Sequence, residues 1–227
     1  MTPLLLALLQ LSRSDSAFAA VTEVVERGIR AGVYPGAVVV VGRRDTVLFA
    51  RGFGHATWSA SAFRPSPSET RWDLASLTKV VATASAVLVL VDQGHVSLDA
   101  PVARYLRRFA GRGRERITVR MLLDHTSGLP AYVALHRMAK TRQAAEDLLY
   151  RTAPIRVPGR VTAYSDVNAM LLGLLVEAVA GAPLDRFTSK EVFAPLGMMA
   201  QPEPRAQGPE FTLCNTRAAD RALRSGA

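Results

Sequence analysis

WDLASLTKVVATASAVLVLVDQG, residues 72–94, begins with a short polar motif and continues as an almost unbroken apolar and alanine-rich run. The run ends at Gly94, and a glycine directly after such a run is typical of a helix C terminus. Within it, Lys79 is the only charged residue between Asp73 and Asp92. A helix of this composition is expected to be buried on nearly all sides.

Ser76 and Lys79 are three residues apart, so a helix places both on one face. A serine hydroxyl is a poor nucleophile at neutral pH, and a desolvated neighbouring amine can act as its base or hold a second base deprotonated. A helix N terminus adds N–H groups that suit a developing oxyanion. Alternatively, Ser76 caps the helix and Lys79 reaches solvent. A lysine on a buried helix costs stability without a partner or a role, which favours the catalytic interpretation.

Two elements are predicted upstream of this helix. Apolar residues recur at helical spacing from Phe18 to Ile29, which predicts an amphipathic helix that Ser14 or Asp15 caps and that ends by Gly32. The alternative for this end is a signal peptide, but the basic region that should precede the apolar run 4–9 is missing. Two strand-like runs, 37–41 and 46–53, then predict a β-hairpin, and the Ser- and Pro-rich residues 60–70 predict a loop.

Beyond residue 98 the pattern is helical or loop-like, and the best helices are predicted at Ile117–His125, Ala144–Arg151 and Val167–Val179, the last closed by Gly181. A hairpin alone is marginally stable, so a sheet with further strands is implied. We therefore predict an α/β (α+β) fold with an incomplete antiparallel sheet flanked by helices and a mostly helical subdomain. One domain spans 15–200, divided into 15–97 and 98–196, and 201–227 is an irregular tail.

Composition excludes several classes of protein. The net charge of +9 could indicate a nucleic-acid partner, but the arginines are scattered among acidic residues, and the densest cluster, Arg104–Arg120, is predicted to be a solvated loop. The single Cys214 rules out an internal disulfide, and four dispersed histidines predict no metal site and no cofactor. The sequence has no uninterrupted run of about 18 apolar residues, so no membrane-spanning helix is predicted.

Five segments resemble one known family: YPGAV at 34–38, LASLTK at 74–79, LLDHTSGL at 122–129, YSD at 164–166 and PLGM at 195–198. In this order and spacing the chain resembles the class C β-lactamase-like and penicillin-binding-protein-like serine hydrolases, which include esterases and D-amino-acid peptidases. The resemblance covers residues 18–199. It implies a β-lactamase/transpeptidase-like fold and a serine hydrolase that acts through an acyl-enzyme on a small-molecule ester or amide.

The resemblance also implies roles for individual residues. Ser76 would be the nucleophile, Lys79 its activating partner, and Tyr164 the residue that shuttles the proton. Asp166, expected to bind substrate, stands where β-lactamases of the family usually carry asparagine. An anion there would pair with Lys79 and repel the carboxylate of a β-lactam, which weakens an antibiotic-hydrolysing function.

Two further polar residues lie in the matching segments. His125 is placed by the resemblance in a structural turn and is expected to pack and to hydrogen-bond. Asn168 could stand in for the family's asparagine two residues later, or could cap the following helix.

The family's third motif, His or Lys followed two residues later by Gly, finds no match. By the resemblance it lies on a strand in a long C-terminal segment, so we expect the chain to be C-terminally truncated, with a tail that could come from a frameshift. The alternative function is a catalytically inactive family member or a ligand-binding module. We favour the cytoplasm, with the periplasm or secretion as the alternative if 1–19 is a signal peptide. Substrate identity and oligomeric state stay open.

Overall fold

A computed structural model describes residues 17–44, 46–70, 72 and 74–198. By internal packing the chain divides into two compact units between residues 73 and 74. Each unit is described separately below. The apolar run of residues 74–94 thus falls in the second unit, whereas the subdivision at residues 97 and 98 stays a prediction.

The first unit begins with helix α1, Ala19–Arg30. The predicted helix is confirmed, and its residues are amphipathic, with none fully buried among these twelve. The predicted caps Ser14 and Asp15 lie outside the described residues. Phe18, which precedes the helix, stacks on Phe49 with ring centroids 5.0 Å apart.

The predicted β-hairpin is also confirmed. Strand β1, Gly36–Arg43, pairs antiparallel with β2, Thr46–Gly54, in a register that sets Gly36 opposite Gly54. The register shifts between Val41 and Gly42, where a bulge lets the two strands enter the turn. Residues 55–70 form turns and bends, as their Ser and Pro content predicts.

The second unit opens with a continuous helical segment, which we call the Ser76 helix. It comprises a 3₁₀ turn, Ala75–Leu77, a π-helical stretch, Lys79–Ala84, and an α-helix, α2, Ser85–Asp92. The prediction of nearly complete burial is wrong. Lys79, Ala82, Thr83, Ala86, Val87 and Leu90 are buried, while Leu77, Val80 and Leu88 are more than half exposed. The segment therefore has one packed face and one open face among the described residues.

Five more α-helices follow: α3 Val119–Leu123, α4 Leu135–Met138, α5 Arg142–Arg151, α6 Asp166–Ala180 and α7 Leu184–Thr188, with 3₁₀ turns at Val102–Arg104 and Arg107–Phe109 and a π-helical turn at Ser189–Phe193. Helix α6 is the centre of the unit, because every residue from Val167 to Val176 is buried. It packs against the Ser76 helix, α3, α5 and α7. Its bounds match the prediction, with Gly181 in the left-handed conformation at its end.

Helix α3 is shorter than predicted. Thr118 caps it by accepting a hydrogen bond from the Met121 N–H, and the helix ends at Leu123. His125 adopts a φ of 61°, which a continuing right-handed helix cannot accommodate. The hydrophobic pattern alone did not reveal this turn.

The arginine-rich loop is not wholly a solvated face, which corrects the prediction for Arg104–Arg120. Arg114 is 4% exposed, and its guanidinium donates hydrogen bonds to four backbone carbonyls, those of Ala110, Gly111, Tyr150 and Thr152. A buried arginine with several carbonyl acceptors ties two chain segments together. It is a structural residue of this loop.

The Ser76 helix, at Ala75–Asp92, also has the length and hydropathy of a membrane span, although the sequence has no uninterrupted apolar run of that length. The bent pair Asp166–Ala180 and Leu184–Phe193 meets the same criterion as one broken span. The two segments pack on each other within the second unit, and each contributes one partner of the Lys79–Asp166 ion pair. Helix α6 is buried in the core of this unit, whereas the Ser76 helix keeps the open face described above.

Candidate active site

Ser76 and Lys79 lie at the start of the Ser76 helix and contact each other. Ser76 is exposed in the 3₁₀ turn, whereas the Lys79 side chain is 7% exposed. The Lys79 Nζ donates a hydrogen bond to the Ser76 Oγ over 3.0 Å. The placement of both residues on one face, predicted from their spacing, is therefore observed, with the hydroxyl open to an approaching molecule and the ammonium beneath it.

Asp166 is the second partner of Lys79. It occupies the first turn of α6, and its Oδ1 lies 3.0 Å from the Lys79 Nζ. A buried cation is strongly unfavourable without a partner, so this ion pair accounts for the lysine on a packed helix face. The Asp166 backbone N–H also donates to the Ala131 carbonyl over 2.8 Å, which holds the start of α6 against a neighbouring loop.

Tyr164 completes the group of predicted site residues. Its side chain is 53% exposed, and the Lys79 Nζ lies 5.0 Å from the centroid of its ring. That distance is within the range of a cation–π contact. Lys79 therefore lies against all three of the other predicted site residues, Ser76, Tyr164 and Asp166, and its positive charge is within hydrogen-bond distance of the oxygen on which a serine alkoxide would form.

A buried hydrogen-bond network supports this group from below. Asn168, which is fully buried, accepts a hydrogen bond from the Ser127 hydroxyl over 2.6 Å, and its amide lies 3.1 Å from the His125 Nδ1. The Ser165 N–H also points at the His125 Nδ1, over 3.2 Å. Ser165 is the cap of α6, because its Oγ accepts the Asn168 N–H.

Asn168 is therefore not the cap of the helix, which corrects one of the two interpretations of it. Its side chain hydrogen-bonds to Ser127 and His125, and its correspondence to the family's asparagine stays a prediction. Its carbonyl oxygen is taken by a hydroxyl donor, so its amide N–H₂ faces His125 and donates to it. His125 has the hydrogen-bonding and packing role expected for it, and its ring lies 4.8 Å from that of Tyr164.

His125 is held neutral by its surroundings. Burial lowers the pKa of its imidazole, and the positive charge of Lys79 lowers it further, against the opposing influence of Asp124 and Asp166. The hydrogen bonds act in the same direction, because a protonated Nδ1 would face two N–H donors. The imidazole is thus a hydrogen-bond acceptor beneath Tyr164, which fits a positioning role better than a proton-transfer role.

The sequence model of a protein family described as "Beta-lactamase" matches residues 21–201. The chain belongs to the beta-lactamase family. The predicted family and the predicted β-lactamase/transpeptidase-like fold are both confirmed.

Three similar proteins illustrate the range of this family. N-acetylmuramyl-L-alanine amidase of Bacillus subtilis is 34% identical over 197 residues, which are 78% of this chain and 44% of that protein. The solved structure of EstCE1, a hydrolase with promiscuous acyltransferase activity, is 30% identical with a TM-score of 0.69, over 82% of this chain and 52% of that one. A class C beta lactamase from Rhodobacter sphaeroides is 26% identical with a TM-score of 0.64, over 81% and 48%. The chain spans 42–44% of the length of the first curated relatives it matches.

Two backbone features beside the site of this beta-lactamase-family chain were missed by sequence reasoning. Ala75, directly before Ser76, has a φ of 44°, and His125 has a φ of 61°. L-residues rarely adopt these values, and such strain concentrates at functional sites. The left-handed Ala75 turns the chain sharply into the helix at Ser76. An alanine carries no sequence signal for this conformation, so no inspection of the motif could have found it.

A metal ion has no evident place in the described part of the chain. Within these ranges no three His, Cys, Asp or Glu side chains converge as ligands. The absence of a metal and of a cofactor stays a prediction from the sequence.

Proposed function

We propose that this chain is a serine hydrolase that acts through an acyl-enzyme on an ester or amide. The observation that carries the proposal is the hydrogen bond from the buried Lys79 ammonium to the exposed Ser76 hydroxyl. The similarity to an amidase and to a hydrolase with acyltransferase activity supports the same reaction class. Because the chain covers less than half of its curated relatives, the activity is proposed for the residues described here.

In the first step the Ser76 Oγ attacks the carbonyl carbon, and its proton has to leave. Lys79 is paired with Asp166 and already donates to Ser76, so it is suited to act as a fixed cation. We assign the accepting role to the Tyr164 oxygen, because the Tyr164 ring lies beside Lys79, with its centroid 5.0 Å from the Nζ. Lys79 takes part in proton handling through its hydrogen bond to the Ser76 Oγ.

The tetrahedral intermediate then collapses. The bond from carbon to the leaving oxygen or nitrogen breaks, and the proton held by Tyr164 passes to that leaving group. In the second half of the reaction Tyr164 takes a proton from water, and the resulting hydroxide bonds to the acyl carbon. The bond from that carbon to the Ser76 Oγ then breaks, and the proton held by Tyr164 passes to the Ser76 oxygen. Every proton in this cycle begins and ends on a group that the site contains or that the substrate and water supply.

The developing oxyanion needs donors. We propose that the backbone N–H of Ser76 provides one, because Ser76 lies in the first turn of a long helical segment whose N terminus carries partial positive charge. The strained φ of Ala75 sets the direction of this turn. Removal of a single oxyanion donor in comparable sites costs about a hundred- to a thousandfold in turnover.

The test is hydrolysis of a 4-nitrophenyl ester by the wild-type chain and by Ser76→Ala, Lys79→Met and Tyr164→Phe. We expect Ser76→Ala to abolish turnover, and the other two to lower kcat by about a hundred- to ten-thousandfold. Ser68→Ala, which changes an exposed loop serine, is the matched control and should retain the wild-type rate.

Equal rates for wild type and Ser76→Ala would contradict the proposal. A folded chain that binds an ester analogue without turning over any ester would instead support the alternative of a ligand-binding module. Circular dichroism of each variant separates loss of chemistry from loss of the fold.

A further inference from the structure

We infer that Asp166 makes this site select esters or amides that are uncharged near the scissile carbonyl over those that carry a carboxylate there. The inference rests on the proposed function, because it assumes that the reacting carbonyl lies at Ser76. It adds the charge class of the acyl substrate, and it assigns to Asp166 a specificity-determining role in addition to its contact with Lys79.

Asp166 neutralises the cation of the site. Lys79 is the positive charge beside Ser76, and it would otherwise attract a substrate carboxylate. The Asp166 Oδ1 lies 3.0 Å from the Lys79 Nζ, so the two formal charges cancel at longer range. A substrate anion therefore gains little net Coulomb energy from Lys79.

The two side chains of the ion pair differ in their exposure to solvent. The Lys79 side chain is 7% exposed, whereas that of Asp166 is 24% exposed. The exposed partner, at the same end of the Ser76 helix as the reactive hydroxyl, is the anion. A carboxylate that approaches this position meets the aspartate before the lysine, and like charges in partly dehydrated surroundings repel strongly.

The charged groups near His125 also disfavour an anionic substrate. The charged groups that act on the nearby His125 are one cation, Lys79, and two anions, Asp124 and Asp166. His125 itself is neutral because burial disfavours its charged form. Two of the three charged groups that act on His125 are thus anions, although the whole chain carries +9. The net positive charge of the chain attracts anions and so opposes a preference for neutral substrates. Such a preference therefore has to come from the charges close to Ser76.

The experiment uses a matched pair of esters, 4-nitrophenyl methyl glutarate and 4-nitrophenyl hydrogen glutarate, which differ in a terminal carboxylate. The quantity measured is the ratio of kcat/KM for the neutral ester to that for the anionic one. We expect a ratio of about ten or more in the wild type, which corresponds to about 1.4 kcal/mol. The ratio cancels any effect of a substitution that is common to both substrates.

Asp166→Asn should bring this ratio to about one or below, because Lys79 then keeps its full charge. Asp166→Glu keeps the negative charge and should keep the preference even if both rates fall. Asp99→Asn removes a charge from an exposed ion pair with Arg120 and should leave the ratio unchanged. The wild-type ratio needs no variant to fold, so a wild-type preference for the anionic ester would overturn the inference, as would an unchanged ratio in a folded Asp166→Asn chain.

Failure of the proposed function gives a different result. If Ser76→Ala hydrolyses both esters as fast as the wild type, or if the wild type hydrolyses neither, the acyl-enzyme proposal fails. The selectivity inference then falls with it. Hydrolysis that is lost in Ser76→Ala but whose ester ratio does not respond to Asp166→Asn would refute the role of Asp166 and leave the proposed function standing.

Discussion

Asn168→Ala is predicted to destabilise the second unit strongly. The Asn168 side chain is fully buried at the first turn of α6, and it joins the Ser127 hydroxyl to the His125 imidazole. The substitution removes two hydrogen bonds of about 1 kcal/mol each and leaves the buried Ser127 donor without its acceptor. Together these losses predict a fall of about 2–4 kcal/mol in the free energy of unfolding.

Urea unfolding followed by far-UV circular dichroism measures this effect, because the signal is dominated by the helices of the second unit. With a slope of about 2 kcal/mol/M, the midpoint should fall by about 1–2 M. Gln143→Ala is the matched control: its amide donates to Asp147 over 3.0 Å at an exposed site, and its loss should cost less than about 0.5 kcal/mol. A change below that value for Asn168→Ala would refute the view that this network supports the site.

Three further outcomes follow from the structure. Burial lowers the pKa of His125 from its ordinary value of 6.5, so the unfolded chain takes up the proton first as the pH falls. The free energy of unfolding therefore keeps its full value above pH 6.5 and decreases below it. The urea midpoint should therefore drop more between pH 7 and pH 5 in the wild type than in His125→Asn, and parallel profiles would argue against a neutral buried imidazole. Arg114→Met leaves several backbone carbonyls without a hydrogen-bond donor and should lower the free energy of unfolding by about 2–4 kcal/mol, whereas the exposed Arg116→Met should change it by less than about 0.5 kcal/mol. Equal melting temperatures of the two variants would show that the Arg114 guanidinium is not structural. Gly128 has a φ of 74°, and a Cβ added there would lie 2.3 Å from a carbonyl oxygen. Gly128→Ala should therefore lower the free energy of unfolding by clearly more than the roughly 1 kcal/mol expected for Gly181→Ala, where the surrounding space is open. Equal losses would show that the cost comes from the backbone conformation alone.

Much of the fold could be predicted because its signals are local. The spacing of apolar residues predicts α1 and α6, and the glycine at residue 181 marks the end of α6 within one residue. The hairpin follows from two strand-like runs around a short polar turn. The burial of the Ser76 helix was overestimated, because composition reports how apolar a helix is and not which elements of the described chain cover it.

The site was predictable to the extent that its residues lie in short motifs. The spacing of Ser76 and Lys79 predicts their contact, and the presence of an acidic residue at position 166 predicts the pair with Lys79. The supporting network was not predictable, since it joins residues that are about forty positions apart in the chain. The positive φ of Ala75 was not predictable for a different reason, because an alanine in the sequence does not indicate a left-handed backbone conformation.

Activation of Ser76 by its buried neighbour is the central claim, and covalent labelling tests it most directly. Intact-mass spectrometry after exposure to a fluorophosphonate probe should show one adduct on the wild-type chain and on Ser68→Ala. Ser76→Ala should carry none, and Lys79→Met should be labelled far more slowly. An adduct that persists on Ser76→Ala, or a folded wild-type chain that takes up no probe, would contradict the account.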